Sequence, residues 1–167
     1  MINLSQLFLS ELEMEAPITK RILERIPVES SAWQPHEKSF AMGDLAKHVA
    51  EIPGWMELMI SANELDFGTM NYTPPVVENS ADLIKLFEKN IAVAKEQLGK
   101  ADESKYTDLW TMRHGAQIFF TMPRHQVIRR WIFNHVVHHR SQLGVYLRLL
   151  DIPVPGIYGP SADDNGS

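Results

Sequence analysis

An all-α fold, a four-helix bundle, is predicted by two features of the chain. Four long segments carry apolar residues near the helical period, and strand signals between them are sparse. The 167 residues fit one domain, taken as 1–167, and a hydrophobic content of 44% is enough for a core.

The first segment spans about Leu4 to Ile26, with Phe8, Leu12, Ile18 and Ile22 on one stripe. Pro17 lies inside it and should kink or break the helix. The second spans about Gly43 to Ala62, where Leu45, His48, Ile52, Trp55, Met56 and Met59 share a face. Pro53 is a fault here, because the residue before a proline is pushed away from the α region. The third spans about Ser80 to Leu98, with Ser80 as the expected N-cap and Gly99 as the expected C-cap glycine. The fourth runs from about Arg124 to Leu150 and stops before Pro153; Ile128, Ile132, Leu143, Tyr146 and Leu150 form its inward stripe.

Two connections are long. Asp66–Asn79, marked by Gly68, Pro74 and Pro75, reads as a loop. Ala101–Pro123 holds an aromatic stretch, Trp110–Thr121, with room for a short extended piece. Either can cross the bundle, so a simple up-down-up-down order is not required. The polar end, Ser161–Ser167, is expected to fray.

A net charge of −5 argues against a nucleic-acid phosphate track. No apolar run reaches the roughly 18–20 residues of a membrane span. The N-terminus has neither a basic n-region nor an apolar h-region, so a cytoplasmic location is expected. There is no cysteine. Disulfides, cysteine-ligated metals and a cysteine nucleophile are excluded, so a metal must be held mainly by His, Asp or Glu.

The fourth segment contains Asn134-His135-Val136-Val137-His138-His139-Arg140. His135 and His139 stand four apart and project from one helical face, about 5–6 Å apart at Cβ. That face is the apolar stripe, so both imidazoles point toward the core and need a partner. A divalent ion, bound by ring nitrogens at about 2.0–2.1 Å, is the reading this pair favours. His48, on the apolar stripe of the second segment, is the candidate third ligand. Taken alone, a buried His is ordinarily a hydrogen-bonded core residue. Three neutral imidazoles would leave coordination positions open, the pattern of a catalytic rather than a closed structural site.

Other polar residues carry less. His138 sits at the edge of the stripe, and His36, His114 and His125 read as surface groups. Trp55, Met56 and Met59 read as core. Arg129, Arg130, Arg140 and Arg148 read as a solvated or interface edge. Glu51, nearly one turn beyond His48, is either a carboxylate orienting an imidazole or a surface charge, and Asp44 is equally ambiguous. The segment Ile152–Ser161, with Pro153, Pro155 and Pro160, is expected to fold over the bundle end, with Tyr158 as a wall of the site.

Gly43-Asp44-Leu45-Ala46-Lys47-His48-Val49-Ala50 and the run from Asn134 to Leu143 together resemble the DinB-like (YfiT-type) metalloenzymes. Val145-Tyr146-Leu147-Arg148 and Pro153–Ser161 fit the same family. The resemblance implies a bundle of up-down-down-up topology with a long crossover, often dimeric. It implies one divalent ion, nickel or zinc, on His48, His135 and His139. Ser141 stands where the family often has Gly, and it should affect packing rather than ligation. Relatives of this kind include S-transferases using low-molecular-weight thiols such as bacillithiol, and mycothiol-dependent isomerases.

The expected function is therefore metal-dependent transfer of a low-molecular-weight thiol to a small electrophile. Metal-dependent hydrolysis and a non-enzymatic metal- or ligand-binding stress protein are the alternatives. A homodimer is expected, without nucleic-acid or membrane partners. It would pack through the first and fourth helices, where Phe133, Val136, Val137 and Val145 lie outside the inward stripe.

Overall fold

The computed structural model describes residues 3–165. The order is α1 Leu4–Leu23, α2 Met42–Glu51, α3 Met56–Ser61, β1 Glu64–Asp66, α4 Ser80–Lys100, β2 Leu109–His114, β3 Gln117–Pro123, α5 Arg124–Ile128 and α6 His135–Leu149. The wide π turn Arg129–Asn134 joins α5 and α6 into one long helix. The chain is mostly helical, but a small three-stranded sheet corrects the purely all-α expectation. Among the described residues no helix is long and apolar enough to cross a membrane.

Helix senses follow from the two clusters that make up the core. Phe8, Met59, Leu98 and Phe133 share one cluster. Ile22, Leu45, Leu83 and Leu143 share the other. Moving from the first cluster to the second, α1 and the final helix run forward, while α2–α3 and α4 run backward. The senses are therefore up, down, down, up, and the two parallel elements α3 and α4 need the long crossover 62–79. Contacts Lys20–Glu88 at 2.6 Å and Glu13–Lys95 at 3.1 Å give the same antiparallel sense for α1 and α4.

Local chemistry explains most boundaries. Asn79, not Ser80, caps α4: its side chain accepts from the Asp82 N–H at 3.0 Å. The helix continues through Gly99 to Lys100, so that glycine does not end it. Pro17 does not break α1, which runs on to Leu23. Pro53 does interrupt the α-helix, since Ile52–Trp55 is a 3₁₀ turn between α2 and α3, but Ile52 keeps a right-handed helical backbone (φ −49°, ψ −44°) and is not pushed out of the α region.

The extended piece in Trp110–Thr121 proves to be most of a hairpin, β2–β3, turning at Gly115 with φ +55°. Trp110 pairs with Met122 and Met112 with Phe120, so one face of the hairpin is apolar. The start of the first long loop joins it as β1, parallel to β2, with Glu64 opposite Thr111. Asp66 locks this corner by accepting from Gly68 N–H and Gly115 N–H, both at 2.8 Å, and by pairing with Arg113 at 2.7 Å.

Two arginines read as rim or left unread are buried. Arg124, 2% exposed, donates to the carbonyls of Met59, Ala62 and Lys105 and to Asn63 Oδ1. It ties the end of α3 to the start of α5. Arg140, 1% exposed, corrects the solvated-edge reading. It pairs with Glu15 at 2.7 Å and donates to Thr19 Oγ1 at 2.9 Å and Tyr158 Oη at 2.6 Å, fastening α6 to α1. Arg129 and Arg148 pair with Glu11 and Asp163 near the surface.

Phe133 and Val136 are core residues, so they are not available to a dimer face; Val145 is exposed. The C-terminal tail is held rather than frayed. Ser161 Oγ donates to the Val154 carbonyl at 2.6 Å, and Asp163 and Asp164 accept from the N–H groups of Val154 and Gly156. Gly166 and Ser167 of that tail lie outside the described residues.

Removing Arg140 leaves Glu15 partly buried and unpaired. Arg140→Ala should cost about 3–5 kcal/mol in urea unfolding, whereas Tyr158→Phe, which deletes one hydrogen-bonding group at the rim, should cost about 1 kcal/mol. Near-equal losses for the two would show that the buried pair does not fasten the helices.

Candidate metal centre

His48 lies on α2 between Leu45 of one core cluster and Ile52 of the other. His139 lies on α6 between Val136 and Leu143, which divide in the same way. The histidines therefore meet where the clusters meet, at mid-bundle. Because α2 and α6 are antiparallel, His48 faces both His135 and His139. One ligand atom from each of the three lies within 4.8 Å of those of the other two. His48 Nε2 and His135 Nε2 are 3.3 Å apart. Ring centroids are separated by 5.0 Å (His48–His135), 4.7 Å (His48–His139) and 4.6 Å (His135–His139).

An aromatic cage surrounds them. Phe40 stacks on His48 at 6.3 Å, and its loop is held by a hydrogen bond from Tyr146 Oη to the Phe40 carbonyl at 3.2 Å. Trp55 packs against His48 at 5.3 Å and His135 at 5.5 Å, and Trp131 meets His135 edge-on at 5.6 Å. Burial in this cage pushes His48 down to about 4, with help from His139. It also pushes His135 down to about 4, with His139 and His48 adding to the shift and the Trp131 backbone opposing it. His139 is lowered by burial as well, against a hydrogen bond to Gln142 that favours the charged ring.

The trio fits a divalent ion on its own chemistry. All three rings are neutral near pH 7, as ligation requires. The His139 Nδ1–H donates to Gln142 Oε1 at 2.7 Å, which leaves the Nε2 lone pair free. Two nitrogens at about 2.0–2.1 Å from one ion in a tetrahedral arrangement stand about 3.3–3.4 Å apart, and the His48–His135 separation of 3.3 Å matches this.

Beside the histidines is a cleft of about 570 Å³, lined by His48, His135, Glu51 and a mostly aromatic and Met-rich wall. The α3 side supplies Trp55 and Met59, the sheet Trp110, Met112 and Phe120, the crossover Phe67 and Tyr72, and the π turn Trp131. Met56 is core as expected, but Trp55 and Met59 also form cleft wall. The indole N–H groups of Trp110 and Trp131 find no acceptor among the described residues.

Other expected residues are placed elsewhere. Among the described residues Glu51 makes no hydrogen bond or ion pair with an imidazole. Both its oxygens accept from Tyr72 Oη, at 2.9 and 3.0 Å, and burial raises its carboxyl. Asp44 pairs with Lys47 at 2.8 Å on the surface. His138 is exposed beside Gln142. His36 and His114 are exposed, but His125 is half-buried with Nδ1 at 2.9 Å from the Tyr106 carbonyl. Tyr158 is not a cleft wall; it caps Arg140 and Glu15 on the α1 side. Phe40 and Tyr72 were missed because each sits in a connection without periodicity.

A helical bundle presenting three inward histidines at the edge of an aromatic cleft defines a class of candidate metal-binding proteins. The chain belongs to the DinB family, whose model matches residues 1–165. It is 25% identical over 157 residues to an uncharacterized protein, YrdA, from Bacillus subtilis (strain 168), covering 94% of this chain and 89% of that one. Two solved structures share the fold. A DinB-like protein from Bacillus cereus ATCC 10987 aligns with TM-score 0.65 and 24% identity, over 90% of this chain and 95% of that one. A DinB-like protein, YjoA, from Bacillus subtilis aligns with TM-score 0.65 and 17% identity, over 86% and 90%.

The lowered pKa values give a signed pH dependence for metal-free protein. His48 and His135 stay neutral in the fold down to about pH 4, whereas in the unfolded chain they take up protons below about 6.5. The unfolded state then binds more protons, so stability falls as pH drops from about 6.5 to about 4. Thermal unfolding with a chelator present should show this fall, and His48→Gln should make it shallower. An identical slope in the variant would mean that His48 is as solvated in the fold as in the unfolded chain.

Proposed function

We propose that the protein is a divalent-metal-dependent enzyme that joins a low-molecular-weight thiol to a small, apolar electrophile held in the aromatic cleft. The observation that carries the reading is the convergence of one buried and two half-buried imidazoles at the edge of that cleft. Bound by them, a zinc or nickel ion supplies a Lewis acid that favours the deprotonated form of a thiol or water molecule beside it. His48, His135 and His139 hold the ion, and Gln142 fixes the ring of His139. Trp55, Trp131 and Phe40 pack against the imidazoles and limit their exposure to water on the sides away from the cleft. The cleft wall orients the electrophile. Sulfur forms a bond to its carbon, the leaving group departs with its electron pair, and the thiol proton goes to solvent. The chain has no cysteine, so the sulfur comes from the cosubstrate.

Metal-dependent hydrolysis is a second reading, favoured by one observation. Glu51 is a carboxylate in the cleft wall, and no Lys or Arg lines it to receive the carboxylates of an anionic thiol. A homodimer on α1 and α6 remains part of the proposal, supported by the exposed Met14, Val145 and Leu149. Light scattering would test it.

Freshly purified protein should carry close to one zinc or nickel ion per chain by elemental analysis. Ala at His48, His135 or His139 should remove most of it, whereas His138→Ala should not. Metal-loaded protein with monochlorobimane and bacillithiol, mycothiol, glutathione or coenzyme A should form conjugate faster than the uncatalysed reaction. His135→Ala and His139→Ala should abolish the excess. If every thiol reacts only at the uncatalysed rate while the ion is bound, thiol transfer is wrong and hydrolysis takes its place.

A further inference from the structure

Glu51 is an unusual wall residue. It ends α2, one turn past His48, and faces the same cleft. It lies outside the group of mutually close ligand atoms formed by the three histidines. It makes no ion pair among the described residues: Lys47 attracts it electrostatically but pairs with Asp44 at 2.8 Å. Its polar contact is the Tyr72 hydroxyl, which spends one hydrogen on two carboxylate oxygens. A carboxylate has about four lone-pair sites, so most of its acceptor capacity is unused. Half-buried charges are ordinarily paired, because leaving water without a partner is costly. Around this carboxylate the wall is built of Trp55, Trp110, Trp131, Phe67, Phe119 and Phe120. Aromatic faces attract cations and offer nothing to anions.

We propose that the cleft recognises an apolar molecule bearing a cationic amine, with the aromatic wall holding the apolar body and the Glu51–Tyr72 pair receiving the ammonium group. The proposal deepens the functional reading, since it rests on the cleft being the substrate pocket of the histidine centre, and it names the substrate class. A volume of about 570 Å³ accommodates a ring with a short chain. The ammonium donates to the free lone pairs of Glu51, while Tyr72 keeps its own hydrogen bond. In metal-free protein an anionic isostere meets the Glu51 carboxylate with no Lys or Arg among the described residues of the wall to offset it. A neutral isostere keeps the aromatic contacts and loses the charge.

Three of the four tryptophans line the cleft, so intrinsic fluorescence reports occupancy directly. Phenethylamine, 2-phenylethanol and phenylacetate should be titrated into full-length protein, both zinc-loaded and chelator-treated. In the chelator-treated form, where no ion can ligate the carboxylate of phenylacetate, the amine should bind at least about tenfold more tightly than either isostere, in line with a partly desolvated cation against carboxylate and rings; in the zinc-loaded form it should still exceed 2-phenylethanol. Glu51→Gln should remove this preference while leaving 2-phenylethanol affinity within about twofold. Zinc binding retained by Glu51→Gln shows that the variant is folded and the trio intact; if it is lost, Tyr72→Phe serves as the second variant, with an expected reduction of the preference. In the chelator-treated form, equal affinities for the three probes, a preference for phenylacetate, or a preference that survives Glu51→Gln overturns the proposal. Failure of the metal reading shows separately, as zinc stoichiometry insensitive to the histidine variants.

Discussion

The π turn Arg129–Asn134 sets which way the last fifteen helical residues face. A strictly α-helical stripe through Ile128 and Ile132 would leave Phe133, Val136 and Arg140 toward its edge. With the wider turn, the buried positions of α6 become Val136, His139, Arg140, Leu143, Tyr146 and Leu147. Two connections depend on that phase at once. Arg140 reaches Glu15 and Thr19 on α1, while His135 and His139 reach His48 on α2. The helix is thus clamped from two sides, and π turns of this kind recur at functional sites.

Burying three imidazoles beside one another carries a cost that packing must sustain. Each ring loses water, and any proton on one ring disfavours protonation of the next, which is why their pKa values fall together. Completely buried apolar neighbours hold the backbones in place: Leu45 and Ile52 flank His48, and Leu143 follows His139. The site is preorganised by two helices rather than by loops. An ion arriving there would not need to gather these side chains, and little conformational entropy would remain to be lost.

How much of this was legible depended on range along the chain. His135 and His139 were readable as a pair because helical geometry alone places residues four apart on one face. His48 was readable because its own stripe is regular. The face of Arg140 was not, since the reading assumed one unbroken α period and a π turn leaves no mark in composition. The sheet was half visible. Trp110-Thr111-Met112 and Phe120-Thr121-Met122 alternate as strands do, yet β1 joins them only through a parallel pairing with a distant segment. Tyr72 and Phe40 come from connections that carry no periodic signal; tertiary packing alone brings them to the cleft.

Helices and connections therefore divide the work. The histidines stand on long elements whose positions are fixed by both core clusters. The cleft that would decide what reacts is walled largely by the hairpin, β1 and the crossover, which rest on fewer anchors. Asp66 holds the hairpin corner, and Arg124 ties the floor of the cleft to α3. Changes in Phe67, Tyr72 or Phe119 can alter the cleft without moving an imidazole, because their ring and hydrogen-bond contacts are to one another and to Glu51 rather than to the trio. A constant ligand set beside a replaceable wall is a physical route by which one bundle could serve different substrates. Phe67, Met70 and Phe119 are exposed in that wall, a contiguous apolar patch of the kind that ordinarily marks a binding surface.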